Sequence, residues 1–279
     1  MAKKVRAAAC AGRFYPENPA ELCRMVKGSL AAAQVPDEPA TKAIIVPHAG
    51  YAYSGPVAAS AYSRFQPARD TIRRVILVGP SHYASFSGLA MSSADVFATP
   101  LGFVPLDQEA IARIGSLPQM MVLDEAHAPE HCLEVQLPFL QMTLDQFTIV
   151  PLLAGEASDE EIAGVLAALW DGPGTRIVVS SDLSHFHDYQ AAKTTDQATA
   201  QIIEGLRAEQ LGADQACGFG PIRGLLRLAR ERGLGARCID LRNSGDTAGP
   251  RDRVVGYGAF TFAEHGEPTG AFTASRSPT

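Results

Sequence analysis

Three segments of the chain each place a histidine just beyond an apolar run. Val46 leads into Pro47-His48-Ala49-Gly50-Tyr51, and Val78 into Gly79-Pro80-Ser81-His82. Ser180 leads into Ser181-Asp182-Leu183-Ser184-His185. Imidazole is the commonest side-chain metal ligand and exchanges its proton near neutral pH, so these residues suit a metal site or acid–base work. One histidine after a strand is ordinarily a loop residue making a hydrogen bond. Three at equivalent places, each beside Gly, Pro or Ser, favour a shared site.

Cys217 stands just ahead of a segment opened by Pro221. A thiol at a helix N-terminus has its thiolate stabilised by unpaired backbone N–H groups, which suits either a nucleophile or a metal ligand. Cys10, Cys23, Cys132 and Cys238 read more simply as small buried hydrophobes. His131 and Glu134 stand at i, i+3, on one face of a helical turn. That spacing fits a cleft-lining pair and an exposed polar pair equally well. His127 and His187 carry weaker signals, and His265 stands at the edge of the expected tail.

The elements that must position these groups alternate along the chain. Ala43–Val46, 74–78, 148–153 and 176–180 are short, β-branched and continuously apolar, as buried parallel strands are. Helices are expected over 56–64, 160–170, 189–207 and behind Pro221, with a late strand over 254–262. This pattern predicts an α/β fold, one domain over 1–265, with a largely parallel sheet covered by helices on both faces. Ligands of such sheets sit beyond the carboxyl ends of the strands, where the three histidines fall. From Gly266 onward, Gly, Pro, Thr and Ser suggest a flexible tail over 266–279.

The bulk properties remove several function classes. A net charge of −6, with no long Lys/Arg cluster, argues against nucleic acid and anionic membranes. No stretch reaches the roughly 18 apolar residues that span a bilayer. Five scattered cysteines without a C-x-x-C pair suit a reducing cytoplasm. Dinucleotide, P-loop and G-x-S-x-G signatures are absent.

In combination these blocks resemble the Memo family, known in prokaryotes as AmmeMemoRadiSam system protein B. The resemblance runs through Gly12-Arg13-Phe14-Tyr15-Pro16, the His48, His82 and Asp182–His185 blocks, and Glu130-His131-Cys132-Leu133-Glu134. It ends in Asn243-Ser244-Gly245-Asp246 and Val254-Val255-Gly256-Tyr257. It implies a fold like that of class III extradiol (LigB-type) dioxygenases. It further implies His48 and His82 as metal-binding histidines, with Cys217 where the dioxygenases carry a carboxylate ligand. Asp182, His185 and His131 match further cleft residues, His185 at the acid/base position. Two histidines and a carboxylate leave open positions on Fe(II); a thiolate shifts the preference towards copper or zinc while still able to hold iron. The family's prokaryotic name also implies a pathway shared with radical-SAM and AMMECR-type proteins.

Three functions follow as expectations. The first is an iron- or copper-dependent oxidoreductase in which His185, oriented by Asp182, moves protons. The second is a module binding a small molecule or peptide through Tyr51, Tyr53, Tyr83 and Phe219. The third is a hydrolase or transferase with Cys217 as nucleophile, His185 as base and Asp182 as its orienter.

Overall fold

Four strands at the centre of the sheet run parallel in the order Ala43–Val46, Thr175–Ser180, Arg74–Pro80, Thr148–Ala154. These are the four apolar runs, and nearly every residue in them is buried. They are seen in a computed structural model that describes residues 3–33 and 40–264. His265 and the tail expected over 266–279 lie outside the described residues.

The α/β fold with a parallel centre is as expected, and antiparallel flanking strands make the sheet as a whole mixed. Val254–Glu264 runs antiparallel to Ala43–Val46, and Leu234–Asn243 antiparallel to Val254–Glu264. On the other side Leu89–Met91 runs antiparallel to Thr148–Ala154 and carries Met120–Val122 as its outer neighbour. Val254–Glu264 is long and mostly buried, whereas Leu89–Met91 and Met120–Val122 are short and Leu234–Asn243 is half-buried, so these three lack the apolar run that marks the central four. A separate three-stranded sheet joins Val5–Arg6, Val96–Thr99 and Gly102–Pro105.

Helices cover both faces. Pro19–Ala32, Tyr51–Tyr62 and Leu137–Thr143 pack on the side chains of Ile44, Val46 and Val178. Asp159–Leu169 and Phe219–Glu231 pack on those of Ile45, Ile177 and Val179. The alternation along each strand thus feeds two separate cores. Asp159–Leu169 opens on a Ser158/Glu161 capping box, and Tyr189–Glu204 is capped by Asp188 and closes at Gly205. The helix expected from Pro56 begins earlier, at Tyr51, directly behind the His48 loop, and holds Pro56 inside it.

The stretch from Glu130 to Gln136 ties the N-terminal segment to the sheet. Glu134 is fully buried and ion-pairs with Arg6. It also accepts the N–H groups of Ala9 and Cys10, each at 2.8 Å, and the hydroxyl of Tyr15 at 2.5 Å. Glu134 therefore does not share the cleft with His131; it organises the chain's first residues. Removing one member of a buried ion pair leaves the other charge stranded. Glu134→Gln should accordingly cost about 3 to 5 kcal/mol of stability, read as a lower urea midpoint. An unchanged midpoint would show that the Arg6 contact adds nothing.

Candidate metal centre

The parallel strands deliver their loops to one rim of the sheet. Val46 and Ser180 are direct neighbours in register, so His48 and Asp182 emerge side by side. His48 Nδ1 lies 3.0 Å from Ser180 Oγ. The single Ser180 hydroxyl proton goes to the carbonyl of Cys132 at 2.6 Å, and Gln136 Nε2 donates to the same hydroxyl at 2.9 Å. Ser180 can therefore only accept from His48, which puts the proton on Nδ1 and leaves a lone pair on Nε2.

His82 is fixed by a charge. Its Nδ1 lies 2.8 Å from Glu130 Oε1, and its backbone N–H reaches Oε2 at 2.7 Å. The same carboxylate accepts the N–H groups of His131 and Cys132 at 3.0 and 3.1 Å. Burial alone would raise the Glu130 carboxyl, but the His82 ring and these N–H groups outweigh it and hold it down at about 2. An ionised Glu130 takes the Nδ1 proton of His82, so Nε2 of His82 also carries a free lone pair.

His131 completes the group. Its ring centroid stands 4.6 Å from that of His82 and 5.3 Å from that of His48. One ring nitrogen from each of His48, His82 and His131 lies within 4.8 Å of the other two. Nδ1 of His131 is buried and lies 3.3 Å from Glu130 Oε1, without making a hydrogen bond. Burial, then the two neighbouring imidazoles, pushes His131 down to about 4, which keeps it neutral and able to donate its lone pair. Burial and His82 likewise push His48 down to about 3.

Cys217 reaches this cluster through His48, with Sγ 3.3 Å from Nε2. Its thiol also faces the carbonyl of Asp182 at 3.7 Å and the hydroxyl of Ser181 at 3.8 Å. The activated thiolate expected at a helix start is not found. Burial, then the Asp182 carboxylate, pushes the thiol up to about 12 against the weaker pull of its hydrogen bonds. Asp182 does not orient His185 either. Its Oδ1 accepts the backbone N–H of His48 at 2.7 Å, whereas Nδ1–H of His185 is held by the carbonyl of Leu183 at 2.8 Å. The imidazole beside the thiol is His48, so the expected Cys217–His185–Asp182 relay is not assembled.

The aromatic rim also differs from expectation. Tyr51 is a core residue, its hydroxyl bonded to the carbonyl of Val135 at 2.5 Å and its ring packed on Tyr15 and Phe139. Phe219 is half-buried against the second core. Tyr53 and Tyr83 are exposed, and Phe14 stacks on His131 at 4.6 Å. Phe186, next to His185, is also exposed and has a positive φ of 63°. Glu130, Ser180 and Gln136 were not singled out from sequence as site residues. Glu130 and Ser180 stand inside the quoted blocks, where adjacency to His131 and Asp182 was the only signal.

A family model described as Memo-like protein matches residues 6–261. The chain belongs to the Memo family. It is 36% identical over 283 residues to a MEMO1 family protein of Saccharolobus islandicus strain M.14.25, covering 92% of this chain and 99% of that one. Memo-family relatives of Methanosarcina barkeri and Ignicoccus hospitalis are 35% and 34% identical, again over 92% of this chain and 99% and 98% of theirs. The match to the Memo family thus spans every strand that feeds the histidine cluster.

A thiol pushed up to about 12 is protonated throughout the neutral range, and its thiolate appears only as pH climbs towards that value. In metal-free protein at pH 7, iodoacetamide should label Cys217 at least about a hundredfold more slowly than it labels glutathione. Mass spectrometry of the Cys217 peptide reads the rate, and labelling as fast as glutathione would restore the nucleophile reading.

Proposed function

We propose that this Memo-family protein holds one redox-active metal ion, iron or copper, and acts as an oxidoreductase on a small organic molecule or peptide in the cleft. The observation that carries the reading is the convergence of imidazole nitrogens, with Nε2 of His48 and His82 both stripped of protons by their hydrogen-bond partners. His48 and His82 would hold the ion, with Cys217 and His131 as the adjoining donors. Imidazoles with a thiolate suit copper, iron and zinc, and only the first two supply electron transfer. When bound, iron or copper would let O₂ serve as the oxidant of the bound molecule.

The protein's own groups would do the remaining work. Glu130 keeps the His82 ring in one tautomer and one orientation, as carboxylates behind ligating histidines do. Ser180 does the same for His48 without a charge. His185, with Nδ1 donated to Leu183, keeps Nε2 free to take a proton from the bound molecule. Phe14 and Tyr83 shield His131 from water on the outer side. Free cysteines fit a reducing cytoplasm, and no helix among the described residues is long and apolar enough to cross a membrane. We place the protein beside radical-SAM and AMMECR-type proteins in one pathway, on the strength of the resemblance.

Exposed Tyr53, Tyr83 and Phe186 favour a second reading, a module that binds its peptide without transforming it.

Protein purified without oxygen should carry iron or copper near one ion per chain by elemental analysis. His48→Ala should lose both the ion and metal-dependent O₂ uptake. Glu130→Gln should keep the fold and weaken metal affinity by about 10- to 100-fold. Zinc alone, or no metal after careful reconstitution, would sink the oxidoreductase and leave the binding module.

A further inference from the structure

Behind the loop that carries Asp182 and His185 lies a second cavity, of about 300 Å³. It lies against the helix Tyr189–Glu204 and the end of the strand Leu234–Asn243. Its walls include Tyr189, Lys193, Asp196, Leu241, Arg242 and Asp246. None of these belongs to the histidine cluster.

The polarity of this cavity is one-sided. Asp196 is only 2% exposed and forms its floor. Asp196 Oδ1 accepts the N–H of Ser184 at 3.0 Å, and the Ser184 side chain and the His187 and His185 rings also act on the carboxylate. Oδ2 lies against Gly256, where a methyl group would stand 2.0 Å from it. Burial raises the Asp196 carboxyl above the usual range in spite of the Ser184 N–H. Burying a carboxylate costs free energy, and no Lys or Arg among the described residues forms an ion pair with this one. Arg242 is already paired with Asp240, and the exposed Lys193 lies over the Tyr189 ring, 5.5 Å from its centroid. Among the described residues the floor has no Lys or Arg partner.

The remaining groups say what kind of cation fits. A metal ion would need several free oxygens, and both oxygens of Asp246 are committed, to the Tyr189 hydroxyl at 2.5 Å and the Asn243 N–H at 3.1 Å. Those bonds also lock Tyr189 as a wall. The mouth carries the Lys193 ammonium, which has no carboxylate partner within ion-pair distance among the described residues. A ligand entering with its positive end first and trailing a negative end would satisfy both. We propose that this cavity binds a small zwitterion of the amino-acid class, its ammonium on Asp196 and its carboxylate on Lys193. The site stands apart from the metal centre and does not depend on what that centre does.

Occupancy would be felt in the cleft loop. Ser184 hangs on Asp196, and Leu183 and Ser184 are laced to Gly256 by two backbone hydrogen bonds of 2.8 Å. The carbonyl of Leu183 in turn holds the His185 ring.

Backbone-amide NMR of the full chain, titrated with glycine, 4-aminobutanoate, 6-aminohexanoate, butylamine and butanoate, tests the proposal. At least one amino acid of the series should shift Ser184, Gly256 and Lys193 saturably, and butanoate should not. Asp196→Asn keeps an acceptor for Ser184 and should weaken that binding at least about tenfold. Lys193→Ala, on the exposed rim, should weaken the amino acid several-fold and leave butylamine unchanged. No saturable shift with any amine, equal binding by Asp196→Asn, or butanoate binding as tightly as 4-aminobutanoate would each overturn it.

Discussion

A carboxylate withdrawn from water must have its oxygens filled, and Glu130 fills them with the residues of the site itself. Its two oxygens collect three backbone N–H groups and one ring N–H, from His82, His131 and Cys132. The loop after Arg74–Pro80 and the loop before Leu137–Thr143 are thereby one unit. Gly79 permits the approach, since a methyl group there would stand 2.7 Å from Cys132 Sγ. The two orienting contacts differ in kind. His82 leans on an anion and His48 on a neutral hydroxyl, so the lone pair of His82 is the more electron-rich of the two.

The segment from Glu130 to Gln136 faces three ways. Glu130 faces the histidines, Glu134 faces Arg6 and the N-terminal segment, and Gln136 Nε2 reaches Ser180 and the carbonyl of Pro47. Each of these residues is buried, so none can be removed without leaving a polar partner unmatched. Stability and site geometry therefore rest on the same few side chains.

Much of this was legible in the sequence because the central strands are apolar on both sides. Continuous runs such as Ala43–Val46 reveal both the strand and the point where it ends, and the histidines stand at those points. Of the flanking strands only the late one at Val254–Glu264 was legible; Leu234–Asn243 was not, because it mixes Arg, Asp and Cys in a half-buried position. Residue types marked His48, His82 and Cys217, but only geometry shows that His131 closes the group and that Cys217 meets it through His48. The resemblance placed Asp182 in the cleft; its partner, the His48 N–H, is a backbone group that no spacing rule reports. Tyr51 illustrates the converse error, since an aromatic beside a ligand reads as a rim residue until the helix that starts there turns it inward.

The strand that carries His48 has its antiparallel neighbour at Val254–Glu264, more than two hundred residues further along the chain. Its other neighbour, Thr175–Ser180, supplies the hydroxyl that sets the ring, and the thiol arrives only at Cys217. During synthesis from the N-terminus that edge of the sheet stays open until almost the whole described chain has left the ribosome. The strand that carries His48 therefore gains its second neighbour late, and a chain truncated before Val254 would leave that strand open on one side.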